Sequence, residues 1–170
     1  MQNYNFIQKF LHDLLFSQKF INKSLFEIEK LFFLKKKLIN HSQIFITGLP
    51  RSGTTSILNF IYSSGEFASL KYSNMPFILS PNISKIFNKK SFEKKERLHL
   101  DKITYDLNSP EAFDEVFLSD KIQFIKDELS NYLKLILISE NKFKYVSKNN
   151  LNYKRIDLLT SLLPNSNFLI

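Results

Sequence analysis

No cysteine occurs in the 170 residues, so this chain can build neither a disulfide framework nor a thiolate metal site. No apolar run approaches the ~18 residues that a bilayer-crossing helix needs. The opening stretch is interrupted by Gln8, Lys9, His12 and Asp13 and reads poorly as a secretion signal. A cytoplasmic protein without a transmembrane segment is the expectation. Concentrated charge is also missing: a net charge of +8 is scattered among Asn, Ile, Phe and Ser instead of being stacked along one stretch. With no zinc-ligand spacing and no aromatic RNA-binding motif beside it, nucleic acid is set aside as a partner. A small polyanionic ligand suits such a charge equally well.

What remains is a globular composition, 44% hydrophobic and 24% charged, with 18 phenylalanines available for a core. At this length a single domain can bury roughly two thirds of its unfolded surface. Phe6, Phe10, Leu11, Leu14 and Leu15 recur at helical spacing, and Ser24 followed by Glu27 has the capping-box pattern that predicts a second helix start. These segments form a helical lead-in over residues 1–40, ahead of an α/β domain over 41–170.

Within that domain Gln43–Thr47 reads as a strand ended by Gly48, and Thr54–Tyr62 as a helix with Ile57, Leu58 and Ile61 on one face. Pro76 and Pro81 limit helix in the extended stretch that follows. The lysine-rich run 88–97 is read as a solvated loop or helix end. Ser119 is predicted to cap a long helix striped by Ile122, Ile125, Leu129, Leu133 and Ile136. Phe143–Ser147 forms a strand, Asn150 caps a helix that Pro164 stops, and Asn167–Ile170 begins another strand. Strands alternating with helices predict a three-layer fold with a central parallel sheet covered on both faces.

The stretch Gly48-Leu-Pro-Arg-Ser-Gly-Thr-Thr55 is the most informative. An anion is bound well when consecutive backbone N–H groups curl around it and the next helix presents its positive amino end. Gly48 and Gly53 remove Cβ atoms that would block such a curl, and Pro50, Arg51, Ser52, Thr54 and Thr55 complete the loop. An ordinary strand-to-helix corner needs no second glycine, no arginine between the two and no paired threonines. The nucleotide-binding pattern G-x-x-x-x-G-K followed by Ser or Thr is nearly matched, but Thr54 stands in the lysine position. A magnesium-holding carboxylate is expected to end a neighbouring strand in that class, where this chain has Lys148. A metal-dependent kinase or NTPase, and a non-catalytic nucleotide-binding remnant, are the alternatives.

The loop resembles the 5′-phosphosulfate-binding loop of sulfotransferases that use 3′-phosphoadenosine 5′-phosphosulfate. The surrounding chain is similar to the amino-terminal half of bacterial members of that family. The resemblance implies that Arg51 contacts the phosphosulfate, that Ser52, Gly53, Thr54 and Thr55 wrap the 5′-phosphate, and that Lys148 lies near the cleft. It implies a small-molecule donor, an unidentified hydroxyl or amine acceptor, and no metal. The family uses a His or Glu as base; His99, Glu111 and Glu115 lie in the polar stretch where one is expected, with Asp101 and Asp114 as further candidates. Asp114 and Glu115 can equally be surface charges on a short helix. In the family the strand equivalent to Asn167–Ile170 leads into an Arg-Asp-Pro segment that grips the 3′-phosphate. The expectation is therefore an amino-terminal portion with little turnover of its own and a sheet edge prone to self-association.

Overall fold

β-Branched and aromatic residues crowd the stretches around Ile44 and Val146, and in the computed structural model both are central strands. The structure describes residues 19–35, 42–75, 77–87, 95–96, 104–119 and 126–170. The helix expected over Phe6–Leu15 lies outside these residues, as do the base candidates His99 and Asp101. Strands β1 (Ser42–Ile46), β2 (Phe67–Ala68), β5 (Lys144–Lys148) and β6 (Ser166–Leu169) form one sheet in the order β2-β5-β1-β6, all parallel. A separate two-stranded antiparallel pair joins β3 (Lys95–Glu96) to β4 (Thr104–Tyr105).

Because side chains alternate along a strand, β1 sends Phe45 to one face and Ile46 to the other. Phe45 lies in register with Ser147 and Phe168, and Ile46 with Lys148 and Leu169. On the first face Phe45, Tyr145 and Ala68 join a core supplied by α5 (Lys126–Glu140) through Leu129, Leu133, Ile136 and Leu137. On the second face Ile46 and Val146 pack on Leu58 of α2 (Thr54–Ser63). Both faces are thus covered, as the alternation of elements predicts.

Helix α1 (Lys19–Phe33) places Phe26 edge-on against Phe117 and Tyr132, with ring centroids 5.9 and 6.0 Å apart, so it shares the main core. Ser24 is interior to this helix and does not start it. Glu29, fully buried on α1, accepts the N–H groups of Asn82 and Ile83 at 2.9 and 3.1 Å and the Asn82 side-chain amide at 2.7 Å. Its carboxylate thereby caps α3 (Pro81–Phe87) from 53 residues away. Pro81 accordingly begins a helix, where a missing N–H costs nothing.

Ser119 ends the short helix α4 (Glu115–Leu118), donating its N–H to the Glu115 carbonyl at 2.8 Å, and the described part of α5 starts at Lys126. The capping residue of the segment after β5 is Asn149, one residue before the sequence reading places it. Its side chain accepts the Leu151 N–H at 2.9 Å and opens a 3₁₀ turn (Asn150–Arg155) that runs into α6 (Ile156–Leu162). Among the described residues no helix is long and apolar enough to cross a membrane.

Candidate active site

In a parallel sheet every strand delivers its carboxyl end to the same edge, and ligands of open α/β folds lie there. Three segments leave that edge side by side: residues 69–75 after β2, the Asn149–Arg155 turn after β5, and the Thr47–Gly53 loop after β1.

The loop begins at Thr47, whose N–H continues the sheet to the Leu169 carbonyl at 2.9 Å. It then tightens through a turn in which the Ser52 N–H donates to the Leu49 carbonyl at 3.2 Å. Arg51 (φ 70°) and Gly53 (φ 83°) both take left-handed backbone conformations. Glycine adopts this readily, whereas arginine there costs roughly 1–2 kcal/mol. A Cβ on Gly48 would meet Ser52 Oγ at 3.0 Å and Thr54 Cγ2 at 3.1 Å, so the loop folds back on its own start and the missing side chain makes room for the closure.

Helix α2 then opens with no side-chain cap and no acidic residue in its first turn. The N–H groups of Ser56 and Ile57 return to the Gly53 carbonyl, while those of Thr54 and Thr55 engage no acceptor among the described residues. Open N–H groups at a helix start, backed by the helix dipole, favour an anion. Arg51 and Ser52 are exposed on the loop, as is Pro50, and Thr54 is buried at the helix start. Lys148, last residue of β5, lies in register with Ile46 and so stands beside the point where the loop departs.

The candidate base Glu111 lies over the end of β2. Its N–H donates to the Leu70 carbonyl at 3.0 Å, and its half-buried carboxylate accepts the Tyr72 hydroxyl at 3.1 Å. Asp114 is not a surface charge: the Ser147 hydroxyl donates to its Oδ2 at 2.8 Å inside the protein, and Oδ1 has no hydrogen-bond partner among the described residues. Burial pushes its carboxyl up to about 6, with only partial relief from Ser147. Glu115 takes the opposite course, since Arg155 grips it from Nη1 and Nη2 at 2.7 and 2.8 Å and Asn149 Nδ2 donates at 2.5 Å. Bonding to Arg155 first, and to Asn149, holds its carboxyl below the ordinary value.

These environments separate the three carboxylates. Asp114 is buried, Glu115 is partly exposed but bound by three donors from Arg155 and Asn149, and Glu111 is half-buried with the Tyr72 hydroxyl on its carboxylate. The Glu115–Arg155 pair and the role of Thr47 escape sequence reasoning, because the partners are far apart in the chain and carry no local signature.

A family described as the sulfotransferase family matches residues 43–170, from the second residue of β1 onward. Among curated protein sequences none matches. The crystal structure of a sulfotransferase from Mycobacterium tuberculosis is similar in fold, with a TM-score of 0.52 at 15% identity, over 95% of this chain and 52% of that one. The chain therefore spans about half the length of that solved relative. With the match to the family extending over most of the chain and through both flanks of the loop, the chain belongs to the sulfotransferase family.

Proposed function

We propose that the Gly48–Gly53 loop and the amino end of α2 hold the 5′ end of 3′-phosphoadenosine 5′-phosphosulfate, for transfer of its sulfuryl group to a hydroxyl or amine acceptor. The observation that carries this reading is the uncapped helix start. Its Thr54 and Thr55 N–H groups have no acceptor among the described residues and lie behind a loop that closes back on Gly48, with no carboxylate in the first turn to compete for them.

Sulfuryl transfer builds negative charge on the oxygen that bridges sulfur to the leaving phosphate. N–H groups and a guanidinium fixed at that oxygen lower the barrier, because they bind the transition state better than the ground state. Arg51 and the Thr54 and Thr55 N–H groups take this role, and Lys148 adds a cation from the neighbouring strand. Glu111 takes the proton of the acceptor as the new S–O or S–N bond forms. A carboxylate suits this because the acceptor loses its proton only as it attacks. Cations supply the countercharge, so no metal is required. Transfer is proposed for the whole enzyme; the readout expected of this chain alone is binding, with little or no turnover.

Calorimetry with 3′-phosphoadenosine 5′-phosphate, compared with ATP plus magnesium, tests the reading. Metal-independent preference for the bisphosphate is expected. Arg51→Ala should weaken it by roughly 10- to 100-fold, the loss of one charge-assisted bond or a little more. Tighter binding of ATP with magnesium, or no change in the Arg51 variant, overturns it.

A further inference from the structure

The carboxylate of Glu115 has no part in the chemistry above, yet both of its partners belong to one turn. Asn149 opens that turn and Arg155 closes it, so the three N–H bonds to Glu115 hold it at both ends. Thr47 holds the same turn from the other side. Its hydroxyl donates to the Asn150 carbonyl at 3.3 Å and accepts the Tyr153 N–H at 3.1 Å. The Asn149 N–H completes the grip by extending the sheet to the Ile46 carbonyl at 2.9 Å.

The turn is thus clamped between α4 and the end of β1. Two residues of the proposed donor site are each one peptide bond from a clamped atom: Lys148 precedes Asn149, and Gly48 follows Thr47. Arg155 is 17% and Glu115 33% exposed at the side chain, so the pair is shielded enough for its two-pronged geometry to persist.

We propose that Glu115 is a positioning residue, which acts through Arg155 and Asn149 to fix Lys148 and the base of the Gly48 loop in the arrangement that receives the donor's anionic end. The inference rests on the reading of that loop as the donor site. Without Glu115 the turn loses its three bonds to α4, and its remaining bonds to Ile46 and Thr47 open more often. Lys148 then samples several positions in place of one.

Two measurements on the 170-residue chain test this. Hydrogen exchange should show protection lost at the Asn149 and Tyr153 N–H groups in Glu115→Ala, with α5 unchanged as evidence of a folded protein. Calorimetry with 3′-phosphoadenosine 5′-phosphate should show an affinity about tenfold weaker. The discriminating reading is the double-variant cycle with Lys148→Ala. That change should cost about tenfold in the parent but less than about threefold on top of Glu115→Ala, because a cation no longer held in place has little left to lose. A purely architectural role leaves the Lys148 penalty the same in both backgrounds and overturns the proposal. Unchanged exchange in the turn, or unchanged affinity, overturns it as well. Should Glu115→Ala fail to fold, Arg155→Lys retains the charge without the two-pronged contact and should show the same losses in milder form. Loosened exchange in a chain whose parent binds no bisphosphate refutes the donor reading while supporting the clamp.

Discussion

Replacing Asp114 by asparagine should stabilise the protein at neutral pH and do much less in mild acid. The carboxyl is fully buried, accepts one bond from Ser147, and its raised value of about 6 compares with an ordinary 3.8. A group whose folded-state value is raised favours the fold while it carries its proton. Its contribution is fully present below the unfolded value and is lost as pH climbs through the folded one. A gap of about two pH units corresponds to about 3 kcal/mol lost between pH 4 and pH 7. Asparagine keeps an acceptor for the Ser147 hydroxyl and never ionises, so it escapes that loss. Arg155 opposes the effect by favouring the charged form, and Glu115 reinforces it. Thermal unfolding of both proteins at pH 4.5 and 7.5 is the assay. For a chain of this size about 3 kcal/mol is roughly 6–12 °C, so the variant should gain most of that at pH 7.5 and about a third as much at pH 4.5. A difference in Tm that stays flat across the range, or a variant less stable at pH 7.5, would refute the claim that burial penalises this carboxylate.

Arg51→Gly should separate stability from function: relief of the left-handed strain at φ 70° raises stability by about 1 kcal/mol in urea titration, while affinity for the bisphosphate falls with the lost guanidinium. Gly48→Ala should weaken the bisphosphate about tenfold by calorimetry, because its Cβ would lie 3.0 Å from Ser52 Oγ and 3.1 Å from Thr54 Cγ2 and push the loop open. Glu29→Ala strands the Asn82 and Ile83 N–H groups and the Asn82 side chain in the interior, and should cost about 3 kcal/mol or more in urea titration. Glu29→Gln, which retains an acceptor oxygen, should cost distinctly less.

The sequence spoke clearly where local rules decide. Between Gln43 and Tyr62 the β-branched run, the two glycines and the apolar face of the helix all act over a few residues, and β1 and α2 fall within a residue of their expected limits. It was silent where a distant group settles the matter. Pro81 reads as a helix limit from its own chemistry, whereas the group that receives the Asn82 and Ile83 N–H groups is Glu29, brought in by the packing of α1. Ser24 carries a helix-start pattern, but its helix is already under way. Asn149 and Asn150 are equally good caps by composition. Asn149 takes the role because its N–H still belongs to the sheet, leaving its side chain at the strand end to receive the Leu151 N–H.

The same distinction explains why the tight turn between β1 and α2 was legible and the surroundings of the carboxylates were not. A loop that curls back on its own start is built mostly from backbone, so its requirements appear in the residues that must be small or left-handed, here Gly48 and Gly53. A general base is one carboxylate among several, and its chemistry depends on what folds around it. Asp114 and Glu115 are consecutive, and a helical step of about 100° sends neighbouring side chains to different sides. One meets Ser147 in the core and is driven toward its neutral form; the other meets Arg155 and is held ionised. Exchanging their letters would leave composition, charge and periodicity untouched while moving each carboxylate into the other's surroundings. The assignment of Glu111 as the proposed base therefore rests on its place in the fold: its half-buried carboxylate lies over the end of β2, whereas Asp114 is buried against Ser147 and Glu115 is bound to Arg155.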